Sequence, residues 1–255
     1  MSDHLNPPQR EAIRYLDGPL LVLAGAGSGK TRVITRKIAW LVEECAVLPQ
    51  HIAAITFTNK AAKEMRERVG QLLKGRPVEG LTVSTFHALG ARMLRQEARH
   101  AALKPGFSIL DASDTGALFQ ELMKEVDKSV QRIVQHRISL WKNALVEPET
   151  ALDEAGNELE KRAARIYTEY ERTLRAYQAV DFDDLIRLPV KLLEGHPEVA
   201  ERWRSRIWHL LVDEYQDTNR CQYRLMKLLA GPRAALTAVG DDDQSIYAWR
   251  GADVE

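Results

Sequence analysis

The chain has 255 residues, 45% of them hydrophobic, enough apolar material for one large domain or two modest ones and no sign of a disordered composition. Lys and Arg number 36 and Asp and Glu number 36, so no global positive field draws the chain to nucleic acid; any such binding must come from local patches and stacking side chains. The two cysteines, Cys45 and Cys221, are isolated, which excludes a paired-cysteine zinc site and fits a reducing compartment. With no basic-then-apolar leader and no apolar run of membrane-spanning length, a cytoplasmic location away from membranes is expected.

In chain order, Leu5 to Ile13 reads as the capped start of a helix, with Asn6 as N-cap and Pro7 in the tolerated first turn. On local grounds Gln9 is only a helix residue. The apolar run Leu20 to Leu23 then meets a glycine-rich turn, Ala24-Gly25-Ala26-Gly27-Ser28-Gly29-Lys30-Thr31, after which Val33, Ile34, Ile38, Leu41 and Val42 recur at helical spacing. Strand, loop and helix in that order form a phosphate-binding P-loop. Glycines let successive backbone N–H groups point inward, the helix presents its positive end, Lys30 adds a mobile cation and Thr31 holds a magnesium ion. Ala24 stands where the strict pattern has glycine, so the match is to the relaxed form.

Two further strand-loop-helix units follow. Ile52 to Phe57 reads as a buried strand, and after Thr58-Asn59 a helix carries Ala62, Met65, Val69 and Leu72 on one face. Leu81 to His87 reads as a third strand, giving way to a helix around Leu89 to Leu94. This alternation predicts an α/β fold with a parallel sheet covered on both faces and ligands gathered at the carboxyl ends of the strands, where Phe57, Thr58, Thr85, Phe86 and His87 fall.

From residue 92 to 196 strand signals nearly vanish, and the segment reads as an α-helical subdomain inserted between core segments 1–91 and 197–255. One helix starts at Ala112-Ser113-Asp114 with Leu118, Leu122 and Val126, a second carries Val130, Ile133, Val134 and Trp141, and a third spaces Leu159, Ala163, Ile166, Tyr170, Leu174 and Tyr177. Breaks fall near Glu147-Pro148-Glu149 and 153–156. Arg132, Arg137 and Lys142 fit either a nucleic-acid backbone contact or a solvated charged face, the second being preferred. Asp181-Phe182-Asp183-Asp184 reads as a carboxylate cluster or, preferably, as an N-cap with acids in the first turn.

Sheet character resumes at Trp208 to Val212, ending in Asp213-Glu214. Adjacent carboxylates at the end of a buried strand are how P-loop enzymes deliver one acid to magnesium and another to the attacking water. The last strand, Ala235 to Val239, enters the loop Gly240 to Gly251, where Gln244, Tyr247, Trp249 and Arg250 suit a phosphate and a stacked base; Tyr247 and Trp249 equally suit core packing.

Taken together, these motifs resemble the superfamily-1 DNA helicases of the Rep/UvrD/PcrA group. The resemblance rests on Leu5 to Ala12, Ala24 to Thr31, Thr56 to Ala62, Ser84 to His87, Asp181 to Leu185, Val212 to Asn219 and Val239 to Ala252, and covers essentially the whole chain. The family tolerates alanine at position 24. It implies a RecA-like P-loop NTPase fold, ATP and Mg2+ as cofactors, and 3′ to 5′ movement along single-stranded DNA, acting at DNA forks in replication or repair, with replication or repair proteins as further partners. Gln9 resembles the glutamine that reads the adenine edge and Arg32 the arginine beside the base; residues 24 to 31 take the phosphates. Thr31 and Asp213 hold the metal, Glu214 is the general base and Gln244 senses the terminal phosphate. Phe57, Thr58, Thr85, His87, Tyr247 and Trp249 fall where the family holds single-stranded DNA. Members carry a second RecA-like domain that supplies arginines to the transferred phosphate, so residues 1–255 alone are expected to hydrolyse ATP poorly and not to unwind DNA. Two other readings are a helicase-nuclease subunit with the same motifs and a non-catalytic module that binds single-stranded DNA and uses ATP as a switch.

Overall fold

The computed structural model describes residues 5–25, 27–76, 78–124, 126–233 and 235–241. Its strands are β1 (Leu20–Leu23), β2 (Ile52–Thr56), β3 (Thr82–Thr85), β4 (Ser108–Ile109), β5 (Ala179–Val180), β6 (His209–Val212) and β7 (Leu236–Gly240). The helices are α1 (Pro7–Arg14), α2 (Lys30–Glu43), α3 (Asn59–Leu72), α4 (Phe86–Gln96), α5 (Ala112–Leu122), α6 (Lys128–Asn143), α7 (Pro148–Asp153), α8 (Glu158–Tyr177), α9 (Asp184–Gly195), α10 (Pro197–Arg206) and α11 (Arg220–Ala230). Five strands pair in parallel in the order β1-β7-β6-β2-β3, as the strand-helix alternation predicts.

Side-chain alternation along the strands divides the sheet into two buried faces. Ile52, Ala54, Val83, Leu211 and Val239 meet Ile34, Ile38 and Leu41 of α2 and Met65 and Val69 of α3. On the other face Ala53, Ile55, Leu210 and Val212 meet Phe86, Leu89 and Met93 of α4, Ile186 and Val190 of α9, Trp203 of α10 and Leu225 of α11. A separate cluster, with Leu118, Phe119, Val134, Ile138, Ala163, Tyr167, Tyr170 and Leu174, joins α5, α6, α7 and α8. The 92–196 interval therefore divides between two cores: α5 to α8 pack on one another, whereas α9 packs under the sheet.

Local differences from the sequence reading have plain causes. The helix that carries Leu118 and Leu122 ends at Leu122, short of Val126, because Asp127 starts the next helix by accepting the Ser129 N–H at 2.7 Å. The strand expected through His87 stops at Thr85, whose hydroxyl accepts the Ala88 N–H at 3.2 Å, so His87 stands in the first turn of α4.

The larger correction concerns Lys142, which neither faces solvent nor offers itself to nucleic acid. It is fully buried, with Nζ 2.7 Å from Asp181, 2.9 Å from Glu171 and 3.0 Å from Asp184. Arg187, buried beside it, pairs with Glu147 at 2.8 Å, Glu171 at 2.9 Å and Asp184 at 3.1 Å. Burial alone would lower the Lys142 pKa; Asp184, Asp181 and Glu171 outweigh it and hold the ammonium well above its ordinary value. Asp181 does act as a cap, accepting the Asp184 N–H at 2.8 Å, but its other oxygen takes Lys142 and the Tyr170 hydroxyl, so it is also part of an ion network. Arg132 is exposed and Arg137 pairs with Glu160 at 3.4 Å, in line with a solvated face.

Helices α4 and α9 come close at Gly90, where an added Cβ would lie 1.6 Å from the Leu185 carbonyl oxygen. Pro189, inside α9, has no N–H to return to that carbonyl, and Gly90 leaves room for it. Gly90→Ala is expected to destabilise the fold by about 3 kcal/mol, as overpacking forces the helices apart, read as a lower urea midpoint. Lys142→Met should remove about 3–5 kcal/mol by leaving buried carboxylates without their cation. The loss is read as a lower urea midpoint for the variant.

Candidate nucleotide and nucleic-acid site

The turn between β1 and α2 reverses direction through left-handed backbone at Gly27 (φ 71°) and Gly29 (φ 85°), a region where L side chains are strained. Gly29 occupies the N-cap of α2, so the free N–H groups of the helix's first turn open toward the loop. Lys30 Nζ donates to the Ala24 carbonyl at 2.9 Å, to the Gly25 carbonyl at 3.4 Å and to Asp241 Oδ2 at 2.9 Å. The next residue, Thr31, donates its hydroxyl to Asp213 Oδ2 at 3.0 Å. Lysine and threonine of the P-loop thus each engage an acid at the end of a different strand, Asp241 after β7 and Asp213 after β6.

Burial, with the Glu214 charge beside it, pushes the Asp213 carboxyl above its ordinary pKa, against the hydrogen bond from Thr31. Glu214 sits in left-handed backbone at φ 55°, an uncommon conformation for a non-glycine residue and one that turns the chain sharply out of β6. Its carboxylate accepts from Gln216 Nε2 at 2.6 Å, and Gln216 Oε1 accepts the Asp241 N–H at 2.9 Å. Gly240 permits this closeness, since a Cβ there would stand 2.9 Å from Gln216 Oε1 and 3.2 Å from the Gln216 nitrogen.

At the other side of the loop, Asn6 and Gln9 form a reciprocal capping box at the start of α1, with bonds of 2.8 and 3.0 Å. Gln9 Nε2 also donates to the Ser28 carbonyl at 2.9 Å. Arg32 projects from the first turn of α2 and is exposed.

A cavity of about 520 Å³ opens along the same carboxyl edge, between the sheet and the helices α5 and α6. Phe57, Phe86, His87, Phe119, Asn143, Phe182 and Asp183 line it. The His87 and Phe182 rings stack with centroids 4.2 Å apart, and Phe57 meets Phe86 edge to face at 5.6 Å. Phe182 is 58% exposed, unusual for a phenylalanine, so this stack presents an aromatic face to solvent. Thr58 caps α3 and Thr85 caps α4, each hydroxyl accepting a helix N–H.

The geometry brings together Gln9, the described loop residues 24, 25 and 27–31 with Lys30 and Thr31 among them, Asp213 and Glu214 at one end of the sheet, and gathers Phe57 and His87 in the neighbouring cavity. Ala26, Gln244, Tyr247 and Trp249 lie outside the described residues. Sequence reasoning assigned no role to Asp241, Gln216 and Phe182. For Phe182 a signal was present, an aromatic residue among acids at a helix start; Asp241 and Gln216 become visible only through strand pairing.

The chain matches the model of the UvrD/REP helicase N-terminal domain over residues 5–255. It is 52% identical over 97% of its length to the ATP-dependent DNA helicase Rep of Escherichia coli strain K12, and 46% identical over 98% of its length to that of Buchnera aphidicola subsp. Baizongia pistaciae. Similarity to the ATP-dependent DNA helicase PcrA of Staphylococcus aureus strain Mu50 is 45% over 99% of the chain. The chain spans 37% of the length of each of those Rep proteins and 35% of the PcrA. With its P-loop, its strand-end acids and a family match across nearly every residue, this chain belongs to the UvrD/REP helicase N-terminal domain family.

Proposed function

We propose that this chain is the ATP-binding part of an ATP-dependent DNA helicase that moves along single-stranded DNA in the 3′ to 5′ direction. The observation that carries the reading is the meeting of Lys30, Thr31, Asp213 and Glu214 at one sheet edge within a chain of a helicase family.

In this reading the glycine turn and the first N–H groups of α2 bind the phosphates, and Lys30 gives up its carbonyl and Asp241 contacts for phosphate oxygens. Thr31 and Asp213 present oxygen donors 3.0 Å apart, the donor chemistry of a hard divalent cation such as magnesium. A buried carboxyl whose pKa is raised by desolvation gains most from such a charge, and Asp213 is one. Bound there, magnesium supplies charge neutralisation for the phosphates. Glu214, oriented by Gln216, accepts the proton of the attacking water. Gln9 has one amide N–H and one oxygen lone pair engaged by Ser28 and Asn6, leaving one of each for the donor and acceptor edge of adenine. Phe57, Thr58, Thr85, His87 and Phe182, with Tyr247 and Trp249, take the single strand, the aromatic rings stacking on its bases.

Titration of the chain with ATP tests the nucleotide half. Lys30→Ala is expected to weaken binding by about tenfold or more, as a charge-assisted phosphate contact is lost, and Asp213→Asn to abolish most of the tightening that magnesium gives over EDTA. Affinity indifferent both to Lys30 and to magnesium would refute the site. For the DNA half, Phe182→Ala should weaken binding of an oligothymidylate by about 1–3 kcal/mol in fluorescence anisotropy, the worth of one stacked base.

A further inference from the structure

One buried charge in the nucleotide-binding half has no part in the chemistry above. Lys37, in the middle of α2, is 2% exposed. Desolvation lowers its pKa to about 8, so the site exacts a real penalty for keeping an ammonium where a methionine would pack without one. Its Nζ donates to the Ala12 carbonyl at 3.0 Å and to the Tyr15 carbonyl at 2.7 Å. Tyr15 is the C-cap of α1 and Ala12 lies in its last turn. Carbonyls at a helix C-terminus lack intrahelical donors and carry the negative end of the dipole, which is where a cation is best placed.

Helix α1 is short, and its buried apolar residues are few among the described ones. Its buried residues are Ala12 and Ile13, packed with Val33 of α2 in a small cluster bordered by Leu5, Leu20, Val22 and Trp40. Eight residues of helix, about 12 Å long, are pinned at two points. Near the N-terminus Gln9 holds the Ser28 carbonyl of the P-loop, and at the C-terminus Lys37 holds the last carbonyls. With the second pin released, α1 can swing about the first, and the free half of the Gln9 amide loses its fixed direction.

We propose that Lys37 is a positioning residue for base selection: by clamping the C-terminal end of α1 to α2 it sets the orientation in which Gln9 meets the adenine ring, and thereby the preference for ATP over GTP. The proposal rests on the assignment of Gln9 to the adenine edge. The hydrogen bonds of Lys37 go to Ala12 and Tyr15 and not to Thr31 or Asp213, so its influence falls on the base and leaves triphosphate binding alone.

Isothermal titration of the chain with ATP, GTP and inorganic tripolyphosphate tests this. Lys37→Met is expected to weaken ATP by about tenfold while GTP and tripolyphosphate stay within about twofold, because only the pre-organised base contact is lost. Lys37→Arg, which keeps the cation, should restore the ATP preference. Gln9→Ala should reproduce the loss, and the double variant should be no weaker than either single one, the signature of two residues acting as a unit. Equal weakening of all three ligands by Lys37→Met marks a general structural role and overturns the proposal. So does unchanged ATP affinity in Lys37→Met when Gln9→Ala is impaired. A silent Gln9→Ala is a separate failure, removing the adenine assignment and the proposal with it. If circular dichroism shows Lys37→Met unfolded, Lys37→Gln, which keeps a donor for one carbonyl, is read in the same three titrations.

Discussion

The insertion of β7 between β1 and β6 is the constraint on which the site depends. Parallel neighbours lie about 4.8 Å apart, so the P-loop strand and the strand ending in Asp213 are separated by roughly two such spacings, and β7 fills the gap with a third carboxyl end. Register then does the rest: Leu23 stands opposite Gly240 and Val212 opposite Ala238, so β1 and β7 end together and β6 two residues earlier. Lys30 and Thr31, successive residues in the first turn of α2, reach different strand ends, Asp241 and Asp213. A slip of one residue in either ladder would turn every strand side chain to the opposite face and carry these acids away from the loop.

The helical segment is joined to this scaffold by charge as well as by an apolar cluster of Leu94, Phe107, Val180 and Leu185. Lys142 from α6, Glu171 from α8, Asp181 and Asp184 around the start of α9, and Arg187 within α9 form one buried network between the core of α5 to α8 and the core beneath the sheet. Ion pairs of 2.7 to 3.1 Å add directional contacts to that apolar packing, and breaking any one of them would leave a buried charge uncompensated. Between Asp181 and Asp184 lies the turn carrying Phe182, whose ring stacks on His87 from α4. Asn143, next to Lys142, extends the connection in neutral form, donating to Asp183 at 2.9 Å and accepting from Asn219 at 2.7 Å, five residues beyond Glu214.

Legibility in the sequence follows the range of the interaction. Caps at Asn6, Thr58 and Thr85 are written within four residues of the backbone they serve, and the short apolar run of Ile52–Thr56 or the stripe from Leu159 to Tyr177 is visible without knowledge of any partner. The P-loop and the Asp213-Glu214 pair could be recognised because their chemistry demands particular residue types at fixed spacing. Lys142 could not: a lysine on an amphipathic helix looks solvated until carboxylates 29 to 42 positions away are seen to surround it. Lys37 was hidden for the same reason, its partners being backbone carbonyls that carry no sequence signature. Asp241 carries no such signal, since its partner Lys30 is 211 residues distant and only the strand order unites them.

Gln216 shows how such a distant pair can bear on the chemistry. A carboxamide has one donor end and one acceptor end, so a Gln216 that accepts the Asp241 N–H through Oε1 must turn its Nε2 toward Glu214. The lone pairs of the Glu214 carboxylate are thereby steered from the end of β7, the strand whose final acid also holds Lys30. Asp241 thereby ties the two acids of the site together: its carboxylate takes Lys30 Nζ at 2.9 Å, its N–H sets the Gln216 amide that holds Glu214, and Gly240 supplies the room. In the function proposed above, a Lys30 drawn to a phosphate would leave Asp241 beside the one amide that orients Glu214.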